Sequence, residues 1–233
     1  MTGRKSTSEE ILKHNLRKYF FAQSSIKLGQ HPELIRLAAR AGLKLVLVGM
    51  ESINVDTLRS YNKKLNADFL EHNGYFDLIR NIRKGGIAFM GTFIMGGDED
   101  TPKTFEETLR FVKKAGVDVL QMTKPTPLPG TRFYDDLAAK DRILANNYPQ
   151  DWCNYRFTRM LFKPHKMTID EVYSGFHEFR KNFYSVPVKL KRYFSTLIAT
   201  KRISTALVSY LMNRSYEKAF RNSEMYPIME NRQ

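Results

Sequence analysis

The chain repeats one pattern of hydrophobic and polar positions three times: a helix, a glycine, and then an apolar run. The repeats are 32–41 with Gly42 and 45–49, 68–84 with Gly85-Gly86 and 87–95, and 104–115 with Gly116 and 117–122. A glycine after a helix favours the left-handed conformation that ends it. Apolar runs without alternation are typical of strands covered on both faces. The pattern therefore predicts a parallel α/β sheet or barrel.

An aromatic-rich segment at 19–26 precedes the first repeat, so four strands are predicted, ending near residue 125. A closed eight-stranded barrel needs about 250 residues, and four strands cannot close. We therefore predict a partial (β/α) barrel over 1–140, with the 19–26 strand as an exposed edge. Residues 168–182 and 188–220 have helical spacing, which predicts an α-helical C-terminal extension over 141–233.

Composition limits the classes of function that fit the chain. Hydrophobic residues make up 42% and charged residues 27% of the 233, as in globular domains. The single cysteine, Cys153, excludes an intramolecular disulfide and a self-contained iron–sulfur cluster. We see no secretory signal and no apolar run of transmembrane length. We expect a cytoplasmic protein, either free or peripheral to a membrane.

The net charge of +14 indicates an anionic partner or surface. Half of it lies in the tail, because residues 178–233 hold 11 Lys+Arg and 4 Asp+Glu, a balance of +7. We expect this tail to be attracted to anionic lipid by charge, and to be released as salt rises.

Function in parallel barrels collects at the carboxyl ends of the strands, and each predicted strand ends in a polar or glycine-rich group. Glu51 follows an apolar strand directly, where a carboxylate is costly unless it is paired or bound to a ligand. It either contacts a ligand, or with Ser52 caps the next helix or pairs with a local lysine. Gly96-Gly97 forms either a close approach to a ligand or a tight turn.

Acidic residues follow these glycines at 98–100. With no histidine nearby, helix capping and interaction with the helix dipole explain them better than a metal site. We assign no metal ligands and no catalytic residues.

Taken in order, these strand ends resemble the radical S-adenosylmethionine (SAM) enzymes, and more closely their cobalamin-binding (B12-type) branch. The resemblance covers roughly residues 19–140. It is carried by Gly49-Met50-Glu51-Ser52, Asn62-Lys63-Lys64-Leu65-Asn66, the run from Gly91 to Thr101 (GTFIMGGDEDT), and the run from Pro127 to Tyr134 (PLPGTRFY). The tail around Arg180-Lys181-Asn182-Phe183 is similar to the helical extension of hopanoid-methylating members.

The resemblance implies the rear part of a (β/α)6 barrel that binds SAM at its open top. Glu51 and Ser52 match the corner near the ribose and methionine of SAM, and Phe93, Ile94 and Gly96 match the stretch against adenine. The implied SAM-binding set is Glu51, Ser52, Gln23, Phe93, Ile94, Gly96 and Pro125. In this family a [4Fe–4S] cluster on a CxxxCxxC loop cleaves SAM to a 5′-deoxyadenosyl radical.

The chain departs from the family at that loop, because it contains no CxxxCxxC motif. We therefore expect the cluster, and cobalamin if it is used, to be held by a complementary N-terminal half. The chain alone is then expected to be inactive, whether it is a split subunit, a fragment or a truncated gene.

Three functions remain open at this point. The first is the SAM-binding rear part of a radical SAM enzyme. The second is a non-catalytic, degenerate binding module. The third is binding of the basic tail to a membrane or a nucleic acid, of which the membrane is favoured, since the tail aromatics have the spacing of helix packing. Above both, the pattern favours a tail helix that packs on the barrel and keeps a solvated basic face. A neighbouring gene with CxxxCxxC supports the first, and salt-sensitive oligonucleotide binding supports the third.

Overall fold

The computed structural model of the protein describes residues 2–224. Its four strands form one parallel sheet in the order β1-β2-β3-β4. Their bounds are Phe20–Ser24 (β1), Leu43–Glu51 (β2), Ala88–Ile94 (β3) and Val119–Thr123 (β4). The predicted α/β class and four-stranded partial barrel are confirmed. Within the described sheet β1 pairs only with β2, so it is an edge strand, as predicted.

Ten α-helices accompany the sheet within residues 2–224. They are Thr2–Lys13 (α1), Pro32–Ala41 (α2), Val55–Ser60 (α3), Lys64–Glu71 (α4), Gly74–Lys84 (α5), Pro102–Ala115 (α6), Arg132–Ala138 (α7), Ile169–Phe183 (α8), Val186–Thr200 (α9) and Ile203–Glu224 (α10). Short 3-10 turns lie at Ile26–Gln30 and Gln150–Asn154. None of the described helices is long and apolar enough to cross a membrane.

The helix-ending glycines behave as predicted, since Gly42, Gly86 and Gly116 all have positive φ. Gly42 shows why the position excludes other residues. A Cβ there would collide with the carbonyl oxygen of Lys18, which lies in the segment leading into β1. Because Gly42 has no side chain, the turn that ends α2 can pack directly against the backbone at Lys18, just before β1.

Alternate side chains of the strands pack on opposite faces of the sheet. The outer face, including Val46, Phe89 and Leu120, packs in one large cluster with α2, α5 and α6. That cluster also contains Val172 and Phe176 of α8. The core is thus continuous across residue 140, and the division into units at 1–140 and 141–233 stays a prediction.

The inner, concave face is covered by α10. A separate cluster joins Leu45, Ala88, Met90 and Val119 to Val208, Met212 and Tyr216 of that helix. These strand residues lie in the amino-terminal halves of β2 and β3 and at the start of β4. The carboxyl half of the concave face lies beyond this cluster.

Asp118, directly before β4, ties the C-terminal helices to the sheet. Its fully buried carboxylate lies 3.1 Å from Arg83 Nε of α5. It accepts hydrogen bonds from the Thr196 hydroxyl of α9 at 2.6 Å and from the Phe89 amide at 2.8 Å. Asn213 of α10 donates to the Asp118 carbonyl at 2.8 Å. One residue thus connects the sheet, its outer helix layer and both C-terminal helices.

Two helix bounds were predicted wrongly, and the helical C-terminal region contains a break that the sequence did not predict. The helix expected over 68–84 is divided into α4 and α5, because Asn73 takes a left-handed φ of 56°. The helical region 188–220 is divided by Lys201, with a φ of 53°. The helix expected at residue 104 starts at Pro102, since Thr101 and Thr104 form its capping box.

Candidate functional site

The carboxyl ends of the four strands lie along one edge of the sheet. In the register of the ladders, Glu51 is paired with Phe93, and Ile94 with Thr123. On β1, Gln23 is exposed and is paired with Leu47. This edge meets the part of the concave face beyond the α10 cluster, as expected for a barrel that binds its ligand at the top.

Glu51 has the most distinctive conformation along this edge. The register of β2 and β3 shifts between Gly49 and Glu51, and Glu51 has a left-handed φ of 64°. That conformation is uncommon for a glutamate and costs roughly 1–3 kcal/mol. Bulges of this kind re-aim side chains beside active sites. The Glu51 side chain is only 15% exposed, and its Oε1 lies 3.1 Å from Lys63 Nζ.

Glycine at position 49 makes room for this carboxylate. A Cβ on Gly49 would lie 2.8 Å from Glu51 Oε1 and 3.7 Å from the Thr92 hydroxyl oxygen. The carboxylate therefore lies over a bare stretch of backbone next to a hydroxyl group. The Glu51 carboxylate, the Gly49 backbone and the Thr92 hydroxyl together form a small cradle. In this cradle the carboxylate accepts hydrogen bonds, and the hydroxyl can donate or accept them.

A buried amide and a buried phenol fix the backbone ahead of Glu51. Asn66 Nδ2 donates to the Gly49 carbonyl at 2.9 Å and to the Tyr75 hydroxyl oxygen at 3.1 Å. Tyr75 in turn donates to the Met50 carbonyl at 2.8 Å. Burial raises the pKa of Tyr75, so this phenol stays protonated and remains a donor. These hydrogen bonds fix the carbonyls of Gly49 and Met50 and so hold Glu51 in its left-handed conformation.

The glycine turn after β3 is held by a buried carboxylate. Asp100 Oδ2 accepts hydrogen bonds from the Gly96 and Gly97 amides at 2.8 and 3.0 Å. Burial raises the pKa of Asp100, although these two hydrogen bonds act in the opposite direction. On the other side, a Cβ on Gly97 would collide with the Tyr61 hydroxyl. Both amides point inward, so this is a tight turn whose amides are already satisfied.

The residues of the implied SAM-binding set fall into two groups. Gln23, Glu51 and Ile94 lie on the carboxyl half of their strands and are partly or fully exposed. Ser52, Phe93, Gly96 and Pro125 are buried.

The buried members have contacts within the protein. The Ser52 hydroxyl accepts a hydrogen bond from the Asn54 amide at 3.0 Å. Phe93 packs edge-to-face on Phe111 of α6, with ring centroids 6.5 Å apart. A Cβ on Gly96 would lie 2.9 Å from Val172 Cγ1 of α8. Apart from Glu51, the members of this set with accessible side chains at the edge are therefore Gln23 and Ile94. The buried members can contribute only main-chain atoms there.

The acidic residues at 98 and 99 pair with the segment after α7. Arg142 Nη1 donates to Asp98 Oδ2 at 2.9 Å, and Lys166 Nζ lies 2.5 Å from Glu99 Oε2. The expectation that these residues cap α6 was wrong, because Thr101 is the N-cap. Among residues 2–224, no group of three or more His, Cys, Asp or Glu side chains can hold a metal ion.

The chain does not fit a [4Fe–4S] cluster. Its one thiol, Cys153, is exposed and donates to the Gln150 carbonyl at 3.5 Å in a 3-10 turn. A cubane cluster of this type needs three or four thiolates. No step of any reaction is therefore assigned to a cluster on this chain.

Several residues at the edge were not assigned a role from the sequence. Lys63 and Asn66 belong to the motif at 62–66, but nothing in their spacing indicates that they contact Glu51 and Gly49. The Nζ atom of Lys124, after β4, lies 3.9 Å from the centroid of the Phe176 ring of α8. Gln121 Oε1 accepts a hydrogen bond from Tyr216 of α10 at 3.3 Å. These contacts join segments far apart in sequence, and no local pattern reveals them.

Curated proteins similar to this chain include methyltransferases and a cyclase. It is 31% identical over 88% of its length to bacteriochlorophyllide d C-12(1)-methyltransferase of Chlorobaculum tepidum, covering 41% of that protein. It is 23% identical over 73% of its length to hopanoid C-2 methylase of Rhodopseudomonas palustris, covering 30%. It is 27% identical over 65% of its length to the anaerobic magnesium-protoporphyrin IX monomethyl ester cyclase of Cereibacter sphaeroides, covering 23%.

The chain thus spans less than half the length of the curated relatives it matches. A solved structure, the cobalamin-dependent S-adenosylmethionine radical enzyme OxsB with aqua-cobalamin bound, matches 59% of this chain and 19% of its own. The TM-score is 0.41 and the identity 19%. No protein-family model matches the chain.

Proposed function

Because the chain belongs to the cobalamin-dependent (B12-type) branch of the radical SAM enzymes, we propose that it forms the SAM-binding rear part of such an enzyme. The proposed site runs along the carboxyl ends of the four strands and over the concave face beyond α10. SAM supplies a carbon radical when its sulfonium is reduced. The residues of this chain bind and orient SAM rather than perform that reduction.

The observation that carries the proposal is the conformation of Glu51. A folded chain keeps a left-handed glutamate at a strand bulge only where its surroundings enforce it. Here Asn66 and Tyr75 hold the preceding carbonyls, and Gly49 leaves space beside the carboxylate. A carboxylate in such a cradle accepts hydrogen bonds from an ammonium group or from ribose hydroxyls, and SAM carries both.

The remaining members of the set contribute in two ways. Gln23 offers an exposed amide at the end of β1, and Ile94 offers an apolar side chain beside Thr123 at the ends of β3 and β4. Ser52, Phe93, Gly96 and Pro125 are buried. We propose that these four shape the edge, and that only their main-chain atoms face adenine or methionine.

The cluster, and cobalamin if used, are proposed to come from a complementary polypeptide segment outside these residues. The single exposed cysteine supports this division. Sequencing the DNA next to this gene tests it directly. A reading frame with CxxxCxxC, or an extension of this one, supports the proposal.

We propose a large, mostly apolar ring system as the substrate class. The relatives are named for a bacteriochlorophyllide, a hopanoid and a magnesium-protoporphyrin ester. Both methyl transfer and ring closure are represented among those names, so the proposal extends to the substrate class and not to the bond that is formed.

The second candidate function is a non-catalytic binding module. The ion pair between Lys63 and Glu51 favours it, because the carboxylate already has a partner. In that case Glu51 is a structural residue, and SAM does not bind.

Equilibrium dialysis of the chain against radiolabelled SAM separates the two candidates. We expect saturable binding that weakens about tenfold to a hundredfold in Glu51→Gln, the effect of losing one charge-assisted hydrogen bond. Glu71→Gln is the matched control, since Glu71 of α4 forms a surface ion pair with Arg59 of α3. Equal binding by the wild type and Glu51→Gln contradicts the proposed role. Absence of binding in all three, with intact folds, favours the non-catalytic module.

A further inference from the structure

The two C-terminal helices expose a continuous series of large apolar side chains. On α9 these residues follow one another at intervals of four, and α10 continues the series at the same interval. They are Val186, Leu190, Phe194, Ile198, Ile203, Leu207 and Leu211, and each is between 48% and 74% exposed. We call this set the hairpin stripe. Residues four apart lie on one side of a helix, so each helix presents one apolar line.

The two lines lie on the same side of the hairpin. The helices pack side by side through Tyr193 and Tyr210, whose ring centroids are 6.1 Å apart. The next residues, Phe194 and Leu211, lie about 100° further around their helices. Because the helices run in opposite directions, both rotations lead to the same side. The stripe is therefore one surface.

This surface is separate from the packing that holds the hairpin to the sheet. Val208 and Met212 of α10 contact the concave face. Thr196 of α9 and Asn213 of α10 bond to Asp118. The hairpin is thus anchored on one side and exposes its apolar side to solvent. A contiguous exposed apolar patch made of seven large side chains usually marks an interaction surface.

The charge around the stripe identifies the kind of partner. The α9–α10 hairpin, residues 186–224, contains eight Lys and Arg and two Glu. Lys191, Lys201 and Arg214 among them are exposed. Lys201 lies in the turn between Ile198 and Ile203, the two most exposed members of the stripe. The hairpin tip therefore combines apolar side chains with a cation.

A second copy of this chain fits the stripe poorly. A symmetric contact would bring the same positive residues together, while Glu217 of the hairpin is already paired with Lys189, and like charges facing each other oppose association. An anionic lipid surface satisfies both features, because headgroups neutralise the cations while the acyl boundary takes up the apolar side chains.

We propose that the α9–α10 hairpin docks on an anionic membrane surface, with the hairpin stripe entering the boundary between headgroups and acyl chains. The charge of the tail alone predicted attraction that salt abolishes. The exposed stripe changes that expectation, because apolar insertion is insensitive to charge screening. Anionic lipid then strengthens the binding, and part of the binding survives high salt.

Flotation of the 233-residue chain with vesicles tests this proposal. We expect it to float with phosphatidylcholine vesicles that contain phosphatidylglycerol, less with phosphatidylcholine alone, and to remain partly bound after a high-salt wash. Ile198→Asp combined with Ile203→Asp should lower the partition coefficient about tenfold or more. The matched control is Leu16→Asp, an exposed apolar position before β1. A thermal melt establishes that each variant is folded.

A fluorescence measurement keeps the test independent of that double variant. Trp152 is the only tryptophan, so Phe194→Trp in a Trp152→Phe background places a single reporter on the stripe. We expect its emission to shift to the blue on adding anionic vesicles. Emission that does not shift overturns the proposal, as does flotation lost completely in high salt. A wild-type dimer that the aspartate variant converts to a monomer without effect on flotation overturns it too, and identifies the stripe as a dimer interface.

Discussion

Lys63 Nζ lies 3.1 Å from Glu51 Oε1 and brings the start of α4 against the bulge that ends β2. The lysine side chain is 44% exposed, so the ion pair stabilises the fold by about 1 kcal/mol at most. A pair this weak is easily given up to a ligand. It can hold the carboxylate in position in the free protein and release it when SAM binds.

We therefore expect Lys63→Gln to leave SAM affinity unchanged or to raise it, since the carboxylate loses a competitor. Calorimetric titration with SAM, together with a thermal melt, measures both effects. Lys64→Gln, at the exposed neighbouring position, is the control. If Lys63→Gln weakens SAM binding as strongly as Glu51→Gln, the two residues act as one structural unit, and Glu51 does not accept hydrogen bonds from the ligand.

Asp118→Asn should destabilise the protein by about 3–5 kcal/mol, because it leaves the nearly buried Arg83 without its charge partner. Urea unfolding followed by circular dichroism gives the free energy of unfolding. Asp77→Asn is the matched control, since Asp77 forms a surface pair with Arg80 worth less than about 1 kcal/mol. Similar small losses in both variants would show that Asp118 is not the anchor of the C-terminal helices.

The Asp98 carboxylate should make stability depend on acid pH. Burial opposes its ionisation, but hydrogen bonds and charge from Arg142, with a smaller contribution from His165, lower its pKa below the usual value. A carboxyl with a lowered folded pKa stabilises the native state above its unfolded value of about 3.9, and loses this effect as pH falls through the folded value.

Unfolding free energies measured from neutral pH downward should thus fall more steeply below about pH 4 in the wild type than in Asp98→Asn. The neutral variant should already be less stable at pH 7. Parallel curves for the two proteins would mean that Asp98 has the same pKa in the folded and unfolded states.

Anaerobic incubation of the purified chain with ferrous iron and sulfide should yield no iron–sulfur chromophore, because one exposed thiol cannot supply three ligands. Absorption spectra of the wild type and Cys153→Ser should coincide. A stoichiometric cluster that disappears in Cys153→Ser would contradict the proposal that the ligands come from another segment.

The sheet could be predicted from local patterns, because β2, β3 and β4 each follow a helix and a glycine and contain an apolar run, and β1 is an aromatic-rich segment. Of the two helix breaks, the one at Asn73 has a local signal, because Asn73-Gly74 is a turn-forming pair and asparagine tolerates the left-handed conformation. The helix predicted over 68–84 followed the apolar spacing instead. The break at Lys201 has no such signal, because lysine rarely takes a left-handed φ, and tertiary contacts decide there. Lys201 lies where α9 must reverse so that Thr196 and Asn213 can both reach Asp118.

The sequence placed the ends of the four strands along one edge of the sheet, as the structure has them, but it did not give the direction of their side chains. Alternation along β3 puts Phe93 and Ile94 on opposite faces, and Phe93 is the one that packs outward on Phe111. At Glu51 the bulge changes this alternation, and no residue pattern at 49–51 indicates it. The Lys63 and Asn66 contacts depend on how α4 returns to the end of β2, which requires the assembled fold.

The cover that α10 provides over Leu45, Ala88, Met90 and Val119 has a consequence during synthesis. All four strands leave the ribosome before α10 does, so the nascent sheet exposes these side chains while the segment between β4 and α10 is translated. Chains that terminate before residue 203 never acquire this cover. Such products keep this apolar face exposed and are therefore expected to be substrates for chaperones and proteases.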